Sequence, residues 1–140
     1  MKILNGVLLF FVLMMFAPLL NVTFAQSEPI LYFCERYDAS DGEIGVSDRF
    51  TTGYLTVMVK SDNELRLDDV SIQFDKYNSR NGKFEYFKKF AYNIQPDMSY
   101  VYFSKNDESD MKFSDPGFYR VFLLDDRDKT VASALIEIIK

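Results

Sequence analysis

The sequence predicts an all-β protein, built as a single antiparallel β-sandwich of seven to eight strands after an N-terminal signal helix. In several short segments, apolar and polar residues alternate with a period of two. Clusters of Gly, Asp, Asn, Ser and Pro separate these segments at intervals of about 10 to 15 residues, the pattern of a sandwich. After residue 25, apolar residues nowhere recur at helical spacing over three turns.

Residues 1–25 have the three parts of a secretory signal peptide. Lys2 is the only charged residue, an apolar run extends from residue 3 to 20, and Thr23 and Ala25 place small residues before a cleavage site after Ala25. An uncleaved anchor is the alternative, because the run is near the shortest that spans a bilayer. We therefore expect a signal peptide at 1–25 and a domain at 26–140 that is periplasmic, on the cell surface or secreted, with no stable membrane span after signal removal.

The net charge argues against two classes of partner, and the cysteine content predicts no internal disulfide. The chain has 16 basic and 21 acidic residues, and Lys2 is the only one of them in the signal, so the domain has a net charge of −6. An acidic domain repels nucleic acid and anionic lipid, and neither is expected as a partner. Cys34 is the only cysteine and lies in an apolar run, so we expect a buried, inert thiol and no internal disulfide. An intermolecular disulfide or a reactive thiol is the alternative.

The N-terminal part of the domain contains three predicted strands followed by a predicted hairpin. Ile30 to Tyr37 is followed by turn formers, Ile44 to Phe50 is short, and Tyr54 to Lys60 alternates cleanly. Val70 to Tyr77 and Lys83 to Tyr92 flank Asn81-Gly82, the strongest hairpin dipeptide of the chain. We expect these last two strands to pair.

The C-terminal half continues with the same period. Ser99 to Ser104 is a short aromatic strand, and Lys105 to Asp115 is a long polar loop. Phe118 to Leu124 places Tyr119, Val121 and Leu123 on one face, and Val131 to Ile139 is the last strand. No second domain, repeat or low-complexity linker is visible.

Two segments of this half, 116–125 and 131–138, resemble the last strands of bacterial exported immunoglobulin-like domains. These often have a Pro-Gly turn, a Tyr-x-Val strand, a polar hairpin and a strand of small residues, as in Pro116-Gly117, Tyr119-Arg120-Val121 and Ala132-Ser133-Ala134. Residues 45–53 are similar to the entry of such domains. The paired cysteines and core Trp of true immunoglobulin domains are absent. The resemblance therefore implies an immunoglobulin-like architecture and no particular ligand.

Several kinds of catalytic site are excluded by composition. The chain has no His, which removes Ser-His-Asp and Cys-His arrangements and the commonest transition-metal ligand. One Cys cannot build a thiolate site, and no Gly-rich phosphate loop occurs. A pair of carboxylates could serve a glycosidase, but acids cluster in the turns of almost any acidic domain. We predict that the protein is not an enzyme.

No cofactor is expected, and calcium is the alternative that the acidic turns leave open. Residues 38–43 and 106–110 supply oxygen ligands at a suitable density. Neither segment matches the twelve-residue helix-loop-helix pattern. Solvated acids that cap strand ends are the simpler interpretation.

The hairpin 77–92 is the best candidate for a partner surface. Its aromatic residues alternate with Lys83, Lys88 and Lys89, which make it locally basic. Consecutive strand residues point to opposite faces, so Tyr86 and Phe87 cannot both be in the core. The predicted surface is Lys83, Tyr86, Lys88, Lys89 and Tyr92.

Two classes of function follow from these features. The favoured one is a non-catalytic interaction or structural module that binds an envelope or extracellular protein through a sheet face or edge. The alternative is a carbohydrate-binding module that uses exposed Tyr residues. A row of coplanar Tyr rings would favour the carbohydrate, whereas a flat apolar patch or a bare edge strand would favour the protein.

Overall fold

The computed structural model describes residues 28–140, and the predicted signal peptide at 1–25 lies outside this range. The described residues form an all-β structure of twelve strands with no helix. The strands are β1 (Ile30–Cys34), β2 (Arg36–Asp38), β3 (Gly42–Ile44), β4 (Arg49–Thr51), β5 (Gly53–Tyr54), β6 (Thr56–Lys60), β7 (Asp69–Asn78), β8 (Lys83–Asn93), β9 (Tyr100–Phe103), β10 (Lys112–Phe113), β11 (Gly117–Leu124) and β12 (Thr130–Ile139).

The larger sheet has five strands in the order β4-β12-β11-β7-β8. All neighbours are antiparallel except β4, which runs parallel to β12 with Phe50 opposite Ile138. The sheet is therefore mixed, which differs from the antiparallel expectation. The long connection between β4 and β12 permits the parallel pairing, since a two-residue hairpin can join only antiparallel strands.

The second main sheet has three antiparallel strands in the order β1-β6-β9. Two small antiparallel pairs, β2–β3 and β5–β10, complete the described strands. They account for most of the excess over the predicted seven to eight strands. The predicted strand 30–37 is divided at Glu35, whose backbone N–H donates to the Ile44 carbonyl at 3.0 Å, so that β2 pairs with β3 and leaves the main sheet.

One hydrophobic core lies between the two main sheets. Alternate residues of each strand point into it, as period-two patterning requires. Its members include Phe33, Val57, Ile72, Phe74, Phe103, Phe113, Tyr119, Val121, Leu123 and Ile136, which are almost fully buried.

The predicted hairpin at Asn81-Gly82 is confirmed. β7 and β8 pair antiparallel from Asp69 opposite Asn93 to Asn78 opposite Lys83. Gly82 has a φ of +71° and donates its N–H to the Asn78 carbonyl at 2.9 Å. Glycine adopts this left-handed conformation without a steric penalty, which explains the dipeptide.

Tyr119 fixes the entry of β11. Its hydroxyl donates to the Asp115 carbonyl at 2.7 Å, while its ring is fully buried against Phe113 at a centroid distance of 5.0 Å. A Tyr hydroxyl bonded to the backbone a few residues upstream is the tyrosine corner of immunoglobulin-like sandwiches. It occurs in the segment that carries the resemblance in the sequence.

Candidate partner surface

A β-bulge in the β7–β8 hairpin decides where the five predicted surface residues point. Phe74 lies opposite Lys88, and the next residue, Asp75, lies opposite Tyr86. Phe87 is therefore the extra residue, and the bulge changes which residues of β8 share a face. The sequence pattern alone does not reveal this irregularity.

Tyr86 and Lys89 lie on the outer face of the five-stranded sheet. Tyr86 is 66% exposed, and Lys89 forms an ion pair with Asp128. Lys83, at the start of β8, is also exposed. These three residues are accessible to a partner.

Lys88 and Tyr92 point to the inner side instead, so the predicted set is not one surface. Lys88 lies opposite the buried Phe74, and its ammonium donates to the carbonyls of Asp110 at 2.8 Å and Lys112 at 2.7 Å. The same nitrogen is 4.2 Å from the Phe113 ring centroid, and burial lowers the pKa of Lys88. The Tyr92 hydroxyl donates to Ser109 at 2.7 Å. Both side chains hold the long polar loop against β8.

The outer face of the five-stranded sheet instead presents a patch that crosses four strands. The strand register places Tyr86, Asp75, Arg120 and Leu135 in one row. Two residues further along the same face lie the opposed pair Phe84 and Tyr77 and, on β11, Phe118. We call the aromatic face the set Tyr77, Phe84, Tyr86, Phe118, Arg120 and Leu135.

The large apolar side chains of the aromatic face are accessible. Leu135 is 54% exposed, Phe118 52% and Tyr77 38%, although Leu135 and Phe118 each lie next to an almost fully buried residue of the same strand. Tyr86 is the only residue of this set that was predicted from the sequence to contact a partner. The alternation along β11 could have identified Phe118 and Arg120. Because Tyr119 and Val121 point into the core, these two residues point to the opposite face of the sheet.

Arg120 is the central charge of the aromatic face. Its guanidinium carbon is 4.5 Å from the Phe84 ring centroid, and no carboxylate among residues 28–140 forms an ion pair with it. Neighbouring charges are engaged: Arg49 pairs with Glu137 at 2.7 Å, and the Asp75 carboxylate accepts from Gln73 at 2.9 Å. The aromatic face therefore presents one cation, the Arg120 guanidinium, which stacks on Phe84 and lies among aromatic side chains.

The three-stranded sheet has a different outer surface, covered by the β2–β3 hairpin. The hydroxyls of Tyr32 and Tyr100 both donate to one carboxylate oxygen of Glu43. Tyr37 of the hairpin stacks on Tyr102 of β9 at 4.5 Å between ring centroids. This cover buries Cys34 and the outward-pointing Met58 completely, and Cys34 is an unpaired thiol whose pKa is raised by burial.

The hydrogen bonds of Glu43 with Tyr32 and Tyr100 predict that the free energy of unfolding falls at both low and high pH. The hydrogen bonds from Tyr100 and Tyr32 lower the pKa of Glu43, so its contribution is present above the unfolded pKa and is lost as pH falls through the folded pKa. Burial, and then the bond to Glu43, raise the pKa of Tyr100 to about 12. Its contribution is present below the unfolded pKa of about 10 and is lost as pH rises through the folded value.

We expect Glu43→Gln to lower the free energy of unfolding by about 1 kcal/mol at neutral pH, a modest value because the carboxylate is partly hydrated. The variant should also flatten the acid limb of the profile. Urea unfolding from pH 3 to 11 measures both effects. Tyr86→Phe, which removes a hydroxyl without a hydrogen bond among residues 28–140, is the control. An acid limb identical to that of the wild type would contradict the prediction.

The aromatic contacts do not form a row of coplanar Tyr rings in the described residues. Tyr37 and Tyr102 stack on one another at 20°, so each covers a face of the other ring. Tyr77 and Phe84 are tilted by 57°. A sugar-binding platform requires ring faces that are open side by side, and the flat patch of the aromatic face is a different arrangement.

The acidic turns use their oxygens for backbone capping. One Asp38 oxygen accepts the N–H groups of Ser40 and Asp41, and the Asn106 side-chain oxygen accepts those of Glu108 and Ser109. Residues 28–140 contain no group of three or more His, Cys, Asp or Glu side chains arranged to hold a metal ion. No helix in this range is long and apolar enough to cross a membrane.

Comparisons with known proteins give structural likenesses alone. The chain matches no protein-family model, and no curated protein matches it. An immunoglobulin-like protein from Pseudomonas aeruginosa has a TM-score of 0.48 and 11% identity, over 82% of this chain and 99% of its own. A superoxide reductase (neelaredoxin) from Ignicoccus hospitalis has a TM-score of 0.39 and 13% identity, over 80% of this chain and 79% of its own. Both TM-scores lie below 0.5, so neither likeness says what this chain does.

Proposed function

We propose that this protein is a non-catalytic, exported interaction module that binds an envelope or extracellular protein through the aromatic face. The observation that carries the proposal is the exposure of Tyr86, Phe118 and Leu135 on three strands, β8, β11 and β12, of one sheet face. Large apolar side chains gathered on one exposed face, here around the charged Asp75 and Arg120, are typical of surfaces that a partner covers. Export to the envelope is proposed from the signal-like pattern of residues 1–25.

The chemistry of the face defines the partner. Tyr, Phe and Arg are enriched in protein interfaces, and Tyr and Arg are enriched among the residues that dominate binding energy. Arg120 is stacked on Phe84 and lacks an ion-pair partner in residues 28–140. The partner surface should therefore be apolar around one carboxylate, which would form a charge-assisted hydrogen bond with Arg120 once water is excluded.

Catalysis has little support in the same residues. The chain lacks His, and its single thiol is buried under the β2–β3 hairpin. The Glu43 carboxylate already accepts two Tyr hydroxyls, and bonds of this kind lower its pKa, which opposes a role as general acid at neutral pH. A binding role requires none of these groups.

The experiment is a crosslinking pull-down from cells that express the tagged full chain, followed by a binding measurement with the purified partner. We expect Arg120→Glu and Leu135→Asp each to weaken binding at least tenfold. The first places a carboxylate against the carboxylate of the partner, and the second places an unpaired charge in an apolar, desolvated contact. Ile30→Asp is the matched control, since Ile30 is 64% exposed on the other main sheet. It should leave the affinity within about twofold, as expected for a position outside the contact.

The outcomes separate the two classes of function. A stoichiometric protein partner whose binding depends on Arg120 and Leu135 supports the proposal. Equal binding by all variants, or equal loss with Ile30→Asp, refutes the assignment to this face. Retention on polysaccharide, with no protein recovered, replaces it with the carbohydrate-binding module.

A further inference from the structure

The open edge of the three-stranded sheet lies at β9, and its pairing pattern shows which backbone groups are available. Ser61 donates its N–H to the Ser99 carbonyl at 2.8 Å, in register with Lys60 opposite Tyr100. Hydrogen-bonded and non-bonded pairs alternate along an antiparallel ladder. The N–H and C=O groups of Tyr100 and Tyr102 therefore point away from β6.

These backbone groups have no partner strand. Among the described strands, β9 has β6 as its only neighbour, and no backbone hydrogen bond from elsewhere in residues 28–140 reaches Tyr100 or Tyr102. Two residues spaced by two on one edge present donors and acceptors at the repeat of an extended chain. An added strand can satisfy all four groups at once.

The other edges of the two main sheets are protected, whereas β9 is not. Ser47 bridges to β1 through its N–H and the Phe33 carbonyl at 3.2 Å. β8 has a bulge and three lysines, and β4 has only three residues, one of which is Arg49. β9 is also short, with four residues, but it reads Tyr-Val-Tyr-Phe and has no charge, Pro or bulge. Natural edges without such devices invite pairing with another chain.

An apolar groove runs beside this edge. It has a volume of about 270 Å³ and no charged side chain in its lining, which is mostly apolar and aromatic, with Ile94, Met98, Val101 and Phe103, and includes the two amide side chains Asn93 and Gln95. This volume is smaller than the roughly 300–1,000 Å³ of small-molecule sites, and it suits one or two apolar side chains. The groove and the edge together match the two parts of a strand-addition site, which are main-chain pairing and a pocket for alternate side chains.

We propose that β9 receives an extended, uncharged segment of a partner protein as a fourth strand of the sheet. Alternate apolar side chains of that segment enter the groove against Ile94 and Met98, and its backbone pairs with Tyr100 and Tyr102. A second copy of this chain fits less well, because each copy of the domain after signal removal has a net charge of −6 and self-pairing would bring like charges together. This site lies apart from the aromatic face and does not depend on it.

The probe is a phage-displayed library of random nine-residue peptides, selected on protein purified from cells that express the full chain. We expect selected peptides to have apolar residues at alternate positions and no charge among them. Fluorescence anisotropy with the synthetic peptide should show binding at least tenfold weaker to Tyr102→Pro than to Tyr102→Ala. Both variants lack the ring that stacks on Tyr37, and only the proline removes the N–H.

Ala91→Pro is the matched control. Ile94 donates to the Asp68 carbonyl, so alternation turns the Ala91 N–H away from β7 on the neighbouring edge. This variant, and Arg120→Glu on the aromatic face, should bind the peptide within twofold of the wild type.

Peptide N-methylation gives a test that does not depend on how the variants fold. Methylation of the alternate amides that face β9 should abolish binding, and methylation of the intervening amides should leave it within threefold. Failure to select a peptide, or equal binding of both methylated forms, overturns the proposal. If the protein dimerises through β9 and the added peptide dissociates the dimer, the strand that pairs with β9 comes from a second copy of this chain. That result would overturn the proposal of a partner segment.

Discussion

Phe74→Ala should lower the free energy of unfolding by about 3–5 kcal/mol, a large part of the stability of a domain of this size. Phe74 is fully buried at the centre of β7, and its ring makes edge contacts with Phe113 at 5.2 Å and Phe90 at 6.5 Å. The substitution would leave a cavity where β7 meets the long polar loop. Urea unfolding followed by circular dichroism, at constant m-value, measures the change.

Phe118→Ala is the matched control for this prediction. Phe118 is an equally large aromatic residue, but it lies on the outer face and is 52% exposed. Its removal should change the free energy of unfolding by no more than about 0.5 kcal/mol. A large loss in Phe118→Ala would show that this ring is part of the core, and binding defects of aromatic-face variants would then reflect unfolding.

Lys88→Ala should lower the free energy of unfolding by about 2–3 kcal/mol, which is unusual for a strand lysine. Its ammonium donates to the carbonyls of Asp110 and Lys112, and its stem covers the space between Phe74 and Phe113. Removal leaves both carbonyls without this donor and uncovers the rings. Residues 105–113 should also lose amide hydrogen-exchange protection.

The neighbouring lysine gives an internal comparison. Lys89 points to the outer face and pairs with the exposed Asp128, so Lys89→Ala should cost no more than about 0.5 kcal/mol. Lys88→Met, which keeps the stem, should lie between these values. Burial lowers the pKa of Lys88 in the folded state. At pH values between the folded and the unfolded pKa, the unfolded chain therefore binds more protons at this side chain than the folded chain does. Wild-type stability should therefore gain from this group as pH rises through that interval. Similar small losses for Lys88→Ala and Lys89→Ala would contradict the inward position of Lys88.

The aromatic face shows which features of a site can be predicted from sequence patterns and which cannot. Alternation along β11 is local, so the outward direction of Phe118 and Arg120 could be predicted. Their proximity to Tyr86 and Leu135 could not, because it depends on which strands are neighbours and in which register. The prediction that Lys88 lies on the partner surface was wrong for a related reason. The bulge at Phe87 reverses the alternation, and no residue type marks it in the sequence.

The all-β class, the hairpin at Asn81-Gly82 and the alternating core faces could be predicted from the sequence, because each depends on backbone preferences or periodicity over a few residues. The parallel pairing of β4 with β12, the cover of the β2–β3 hairpin over Cys34 and the open edge at β9 are visible in the tertiary structure alone. These features depend on which strands meet, and the contacts concerned, such as Phe50 with Ile138 and Tyr37 with Tyr102, join residues far apart in the chain. Their free energy comes from burial and pairing after the strands have met, and local propensities do not contain it.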